Sequence, residues 1–176
     1  LYRMPGAKST SSWKANARGV DLNRNYKYNY HAKYGGRRGG SGYSGPYAES
    51  EPETKAVVKL INTLKKNTKL KGTVNYHAMG SIAFGSVRRG IKKTTKKTTI
   101  KMYNLARRIT GYASSASYEK RGKSVGALRE YTMYNKKVPS ITLEIGVGSC
   151  PLPSSHKERI HRKSRTEALQ KLTNCL

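Results

Sequence analysis

Two segments alternate apolar and polar residues with the period of a β-strand. In GTVNYHAMG (72–80), Val74, Tyr76 and Ala78 fall on one face and Thr73, Asn75 and His77 on the other. This predicts a strand that ends at His77, with Met79-Gly80 turning away. In SITLEIG (140–146), Ile141, Leu143 and Ile145 alternate with Thr142 and Glu144. Other segments follow the helical period. Ala56, Val57, Leu60, Ile61 and Leu64 mark one face of a first helix, with Lys65 and Lys66 suited to the C-terminal end of its dipole. Ser50-Glu51-Pro52-Glu53 before it reads as a capping box, Ser50 being the N-cap and Glu53 reaching back. Met102, Leu105, Ala106 and Ile109 mark a second helix. A third is expected around Ser124–Tyr134, and a last one from about His156 to Leu172 carries Ile160, Leu169 and Leu172. Strands alternating with helices argue for a layered α/β domain.

Residues 1–49 show neither period. They are rich in Gly, Ser, Tyr and basic residues, and on pattern alone read as a flexible basic arm; a long loop inside a compact domain is otherwise a functional one. IKKTTKKTT (91–99) reads as a solvated basic connection or a helix start.

Composition changes the picture mainly through charge. The chain of 176 residues is long enough for one domain with a core, and its 36 Lys and Arg against 9 Asp and Glu give a net charge of +27. Such a chain meets polyanions quickly: nucleic acid, anionic lipid or an anionic cell wall. No nucleic-acid-binding signature accompanies the charge, so specific nucleic-acid recognition is not expected, although the 13 tyrosines are able to stack on bases. No apolar run reaches the ~20 residues of a membrane span. The start at Leu1, in the middle of a polar pattern, reads as a fragment or a processed product. Cys150 and Cys175 form either a short disulfide loop, which implies an oxidising compartment, or two free thiols.

Against this basic background the acids are conspicuous. Glu144 lies within an apolar strand, and a carboxylate among apolar neighbours is able to act as general base or acid near neutral pH; the alternative is a structural carboxylate paired with a cation. His77 closes a strand, where α/β enzymes present ligands, yet a lone histidine is more often a core or surface residue. His31 lies in the basic loop, and His156 and His161 on a polar helix, so only one plausible zinc ligand is in hand where catalytic zinc needs about three. Asn23-Arg24, in GVDLNRNY, sets an amide beside a forked guanidinium, a match to a carboxylate; a solvated arginine is the plainer reading.

Five segments occur in order: SSWKANARGVDLNRNY, YSGPYAESEPETKAV, VNYHAMGS, SYEKRG and ITLEIGVGSCPLP. Together they span nearly the whole chain, and the chain resembles the zinc metallocarboxypeptidases of the carboxypeptidase A type. The likeness is to their bacterial branch, which includes peptidases that cut γ-D-glutamyl–diaminopimelate bonds. The resemblance implies the C-terminal part of a mixed, mostly parallel β-sheet flanked by helices, a carboxypeptidase-like member of the phosphorylase/hydrolase-like sandwiches. It makes residues 1–176 a single, partial catalytic domain.

Residue by residue, the resemblance assigns His77 to a zinc ligand, Glu144 to the general base and acid, and Asn23 and Arg24 to the grip on the substrate's terminal carboxylate. Tyr118, four residues before Gly122, matches the tyrosine that closes over the substrate. Val125, neutral, falls where the family sets side-chain preference and disfavours a pocket for basic C-termini. The chain departs from the family in two places. Lys14 follows Trp13 where the family often has an arginine that polarises the scissile carbonyl, and the H-x-x-E motif that supplies two further zinc ligands is absent. The expected activity is zinc-dependent (Zn2+) hydrolysis of C-terminal or cell-wall peptide bonds, with peptides or peptidoglycan stem peptides as substrates. An anionic cell-wall polymer is an expected further partner, and the expected location is secreted, extracellular or wall-associated. The alternatives are an inactive, basic wall-binding relic of the same family and a non-specific nucleic-acid binder.

Overall fold

The computed structural model describes residues 13–32, 34–40, 42–116, 125–148, 152–162 and 168–175. In chain order its regular elements are α1 (Pro52–Asn67), β1 (Thr73–Ala78), β2 (Ile82–Phe84), α2 (Lys93–Thr110), β3 (Ala113–Ser114), α3 (Leu128–Glu130), β4 (Ser140–Ile145), α4 (Lys157–Ile160) and α5 (Ala168–Cys175). They fall into two compact units, residues 1–70 with 123–131, and residues 71–122 with 132–176.

The first unit contains α1 and α3, with the rest of its described chain in loops and one 3-10 turn, Leu22–Arg24. The loop read as a basic arm is held by backbone bonds, among them Asp21 N to Tyr43 O at 2.8 Å and Glu49 N to Asn25 O at 2.6 Å. Its interior buries Val20, Tyr26, Ile61, Ala127 and Tyr131 together with polar Asn25, Ser44, Ser50 and Glu51. The expected capping box does not form. Pro52 opens α1 with extended Glu51 as its N-cap, which leaves Ser50 one residue too early to cap. Ser50 instead donates to the Glu51 carboxylate at 2.7 Å and accepts from Asn25 Nδ2 at 3.0 Å. The buried side of α1 also differs from the expected one. Thr54 and Ile61 are buried, Ala56 is exposed, and Leu60, assigned to the core from periodicity, is 55% exposed.

The second unit is built on a four-stranded sheet in the order β1-β4-β2-β3. β1 and β4 run parallel, as do β2 and β3, while β2 and β4 are antiparallel. One face carries the core: Ala83, Ile141 and Leu143 pack with Met102 and Ala106 of α2, Tyr112, and Leu172 of α5. The basic stretch 91–99 is largely helix. α2 begins at Lys93, buries Thr95, Thr99, Met102, Ala106 and Thr110, and ends on Gly111 in the left-handed conformation (φ 71°). The third expected helix is reduced to α3 and a π-type turn over Tyr131–Asn135. Of the last, a 3-10 turn at Ser154–His156 leads into α4, residues 161–162 continue it as a π-type turn, and α5 covers the C-terminal part, with 163–167 outside the described residues. Pattern reading also passed over β2 and β3, which at three and two residues are too short to show a period. Tyr118, Gly122 and Cys150 lie outside the described residues.

Candidate functional site

β1 and β4 are in register as Thr73 with Ser140, Asn75 with Thr142, and His77 with Glu144. Residues on one rung point to the same side of a sheet, and neighbouring strands lie about 4.8 Å apart. All six therefore stand on the face opposite the core residues Ile141 and Leu143. The lower rungs bond to each other: Thr73 Oγ1 donates to Ser140 Oγ at 2.8 Å, and Asn75 Nδ2 donates to the same oxygen at 3.2 Å. The top rung, His77 with Glu144, sits at the C-terminal ends of two parallel strands, the end where open α/β sheets present ligands. Both residues are half-buried. The chain after His77 is tied down by the Gly80 amide, which donates to the Gly146 carbonyl at 2.8 Å. An imidazole and a carboxylate fixed side by side are able to share a ligand or relay a proton.

Asn23 and Arg24 belong to the first unit. The 3-10 turn that carries them starts at Asp21, whose carboxylate accepts from the Asn23 amide at 3.0 Å. The Asn23 side-chain oxygen accepts from the Leu128 amide at 3.0 Å. Its oxygen is thereby committed inward, which leaves the NH2 group as the end that can donate to a ligand. Arg24 Nη1 donates to the Asn23 carbonyl at 2.8 Å, and its guanidinium lies 5.8 Å from the centre of the Tyr34 ring. The side chain is thus steered on two sides and half-buried.

Three residues that sequence reasoning did not single out build this support. Gly126 takes φ +53°, and a Cβ there would lie 2.0 Å from the Arg24 carbonyl oxygen. It bonds on both sides, donating to Tyr28 O at 3.2 Å and accepting from Tyr26 N at 2.9 Å. Asn25 is fully buried: its Nδ2 donates to Ser44 O, Tyr47 O and Ser50 Oγ, and its Oδ1 accepts from the Glu51 amide. Glu51, also fully buried, accepts from Asn16 Nδ2 at 2.8 Å and pairs with Arg18 at 3.3 Å. The only signal in the sequence was the second asparagine of NRN beside a Ser-Glu-Pro-Glu run. Burial pushes the hydroxyls of Tyr26 and Tyr131, whose rings lie 5.5 Å apart, up to about 12, with the Glu49 carboxylate adding to both.

Lys14 is exposed, and Val125 is half-buried beside Gly126. The described residues contain no group of three or more His, Cys, Asp or Glu side chains placed to hold a metal. His77 and Glu144 alone therefore do not complete a zinc site.

The model of the zinc carboxypeptidase family matches residues 3–165. Over 161 residues the chain is 22% identical to γ-D-glutamyl-L-diamino acid endopeptidase 1 of Lysinibacillus sphaericus, covering 90% of this chain and 38% of that protein. Thrombin-activatable fibrinolysis inhibitor superposes with a TM-score of 0.68 at 20% identity, over 88% of this chain and 41% of its own. The murein-tripeptide amidase of Escherichia coli O157 superposes with a TM-score of 0.59 at 20% identity, over 90% of this chain and 60% of its own. The chain thus spans 38% to 60% of the length of these relatives, less than two thirds of each. With the model matching most of its length and a carboxypeptidase-like sheet carrying a histidine and a glutamate on one rung, the chain belongs to the zinc carboxypeptidase family.

Proposed function

We propose that this chain supplies the carboxylate grip and the proton-transfer group of a peptidase that hydrolyses peptide bonds near a free carboxylate, with peptidoglycan stem peptides as the substrate class. The observation that carries this reading is the His77–Glu144 rung at the C-terminal ends of β1 and β4. The γ-D-glutamyl endopeptidase and murein-tripeptide amidase among its relatives support the substrate class. In this reading Glu144 accepts the proton of the attacking water and passes it to the leaving amine. Asn23 and Arg24 hold the substrate's carboxylate, so binding away from the reacting bond positions it. Tyr118 closes over the substrate, and Lys14 adds positive charge near the scissile carbonyl without the bidentate fork of an arginine. Zinc, when bound, supplies Lewis-acid chemistry. His77 is its one ligand proposed in this chain, and the others come from outside this sequence. The net charge of +27 suits a secreted or wall-associated location, where anionic polymer surrounds the substrate.

The test is Glu144→Gln in the full-length protein. Zinc content should be unchanged, while hydrolysis of a γ-D-glutamyl–diaminopimelate peptide falls by about 10²–10⁴, the usual contribution of a general base. Turnover that survives the substitution removes Glu144 from this role. The 176-residue chain alone should hydrolyse nothing. A second reading, an inactive binding relic, is favoured by the missing H-x-x-E motif; it predicts no zinc even in the full-length protein.

A further inference from the structure

In a chain with 36 Lys and Arg, charge alone does not single out Arg24 as a seat for a carboxylate. What singles it out is that its guanidinium is held on two sides. Nη1 donates to the Asn23 carbonyl at 2.8 Å, and the ring of Tyr34 is centred 5.8 Å from the guanidinium carbon. One of the five N–H groups of an arginine is thereby spent, and the other four suffice for a bidentate grip.

Tyr34 is not a core residue: it is 42% exposed, whereas Tyr26 in the same unit is 4% exposed. Its position is nevertheless built by the backbone on both sides. The Tyr34 amide donates to the His31 carbonyl at 3.0 Å, and the Tyr34 carbonyl accepts from the Ser44 amide at 3.2 Å. Ser44 is fully buried, and its hydroxyl donates to the His31 carbonyl at 2.7 Å. Directly after Tyr34 the chain pinches. Gly35 takes φ +77°, and a Cβ there would lie 2.1 Å from the Gly42 carbonyl carbon. A Cβ on Gly42 would in turn stand 3.6 Å from the Tyr34 ring. An exposed aromatic ring is thus seated on glycine backbone with Arg24 over it.

We propose that Tyr34 is a positioning residue for the carboxylate grip: its ring holds the Arg24 guanidinium in the orientation that meets a substrate's free carboxylate. This role rests on the carboxylate-grip reading of Arg24 and adds a residue which that reading leaves out. The physical ground is preorganisation. A solvated arginine gives up rotamer freedom each time it binds, whereas one already held between a carbonyl and a ring loses less. The face of the ring also attracts the guanidinium without taking up its N–H groups, which an acidic side chain in the same place would do.

The experiment measures binding by NMR titration of the 176-residue chain, which should hydrolyse nothing and so leaves the probe intact. The probes are acetyl-γ-D-glutamyl-L-lysine with a free C-terminal carboxylate and the same peptide as its C-terminal amide. Wild type should bind the free acid about tenfold or more tightly than the amide, and Arg24→Ala should bind both alike. Tyr34→Ala should cut the preference about two- to fivefold, the usual worth of an exposed cation–π contact. Tyr34→Leu, which keeps bulk without the π face, should lose as much, while Tyr34→Phe should stay within about 1.5-fold of wild type. Adding Tyr34→Ala to Arg24→Ala should change nothing further, because Tyr34 acts only through Arg24.

A preference unchanged in Tyr34→Ala and Tyr34→Leu overturns the role of Tyr34 and leaves Arg24 in its own. So does binding weakened equally for acid and amide, a loss shared by Tyr34→Phe, or a further loss in the double variant. No preference in wild type, or one that survives Arg24→Ala, overturns the role of Tyr34 together with the grip on which it rests.

Discussion

His77 and Glu144 are partners on one rung of the β1–β4 pairing, side by side on parallel strands and on the face turned away from the core. Their juxtaposition depends on register, because a slip of one residue would send each to the other face. Register in turn is held by the apolar residues between them. Ile141 and Leu143 are fully buried on the opposite face, against Met102 and Ala106.

Leu143→Ala should therefore destabilise the chain by about 2–5 kcal/mol, the usual cost of a buried leucine truncation. Thr142→Ala, on the half-buried polar face, should cost about 1 kcal/mol or less. Denaturant unfolding of the two variants checks the contrast. Similar costs for both would mean that the two faces are not divided as described.

Arg24→Ala in the full-length enzyme should raise KM and lower kcat for substrates with a free carboxylate, reducing kcat/KM about ten- to hundredfold, as for a lost charge-assisted hydrogen bond. Substrates with an amidated end should change little. Arg24→Lys should recover only part of the loss, because lysine keeps the charge without the fork. A uniform loss on free and capped substrates would show that Arg24 does not meet the carboxylate.

Much of this was legible in the sequence. The period-2 segments placed β1 and β4 within a residue, because each has one apolar and one polar face. Helix α2 was legible only in its C-terminal half: Met102 and Ala106 are apolar, but Thr95 and Thr99, which bury the N-terminal half, read as polar. α1 misled for a related reason. Its buried side includes Thr54, while Leu60 is exposed, so apolar character and burial part company. The support of the Asn23-Arg24 turn was not legible, because it comes from residues far apart in sequence, such as Leu128 bonding Asn23 and Glu51 bonding Asn25. Such pairings are set by the fold and leave no local pattern.

Gly126 marks where two such segments touch. At φ +53° with the Arg24 carbonyl where a Cβ would stand, Gly126→Ala introduces both left-handed strain and a clash with backbone that cannot rotate away. A loss of about 2–4 kcal/mol is expected from strain and overpacking combined. On the proposed function, carboxylate selectivity of the full-length protein should weaken with it, since Arg24 must shift. Wild-type stability in Gly126→Ala, measured by thermal melting, would show that the approach is looser than described.

Asn25→Ala should be among the most damaging substitutions in the first unit. It strips partners from the carbonyls of Ser44 and Tyr47, the Ser50 hydroxyl and the Glu51 amide at a fully buried position. Each orphaned buried group costs about 1–3 kcal/mol, so a total of several kcal/mol or failure to fold is expected. Arg24→Ala, one residue earlier and half-buried, is the control and should change stability by less than about 1 kcal/mol. Equal effects in chemical denaturation would contradict the separation of roles within NRN.

The paired tyrosines make stability depend on alkaline pH. Burial, with mutual repulsion and the Glu49 charge adding to it, raises Tyr26 from 10.0 to about 12, and burial with Glu49 raises Tyr131 likewise. The folded state therefore keeps the phenolic protons that the unfolded chain releases near pH 10. The associated stability is fully present below pH 10 and is lost as pH rises from there through about 12. The informative quantity is the difference between wild type and Tyr26→Phe. That difference should be constant below pH 10 and then move in favour of the phenylalanine variant, by ~2 kcal/mol at pH 12. Denaturant unfolding at a series of pH values measures it, and parallel curves throughout would place the Tyr26 hydroxyl in contact with water.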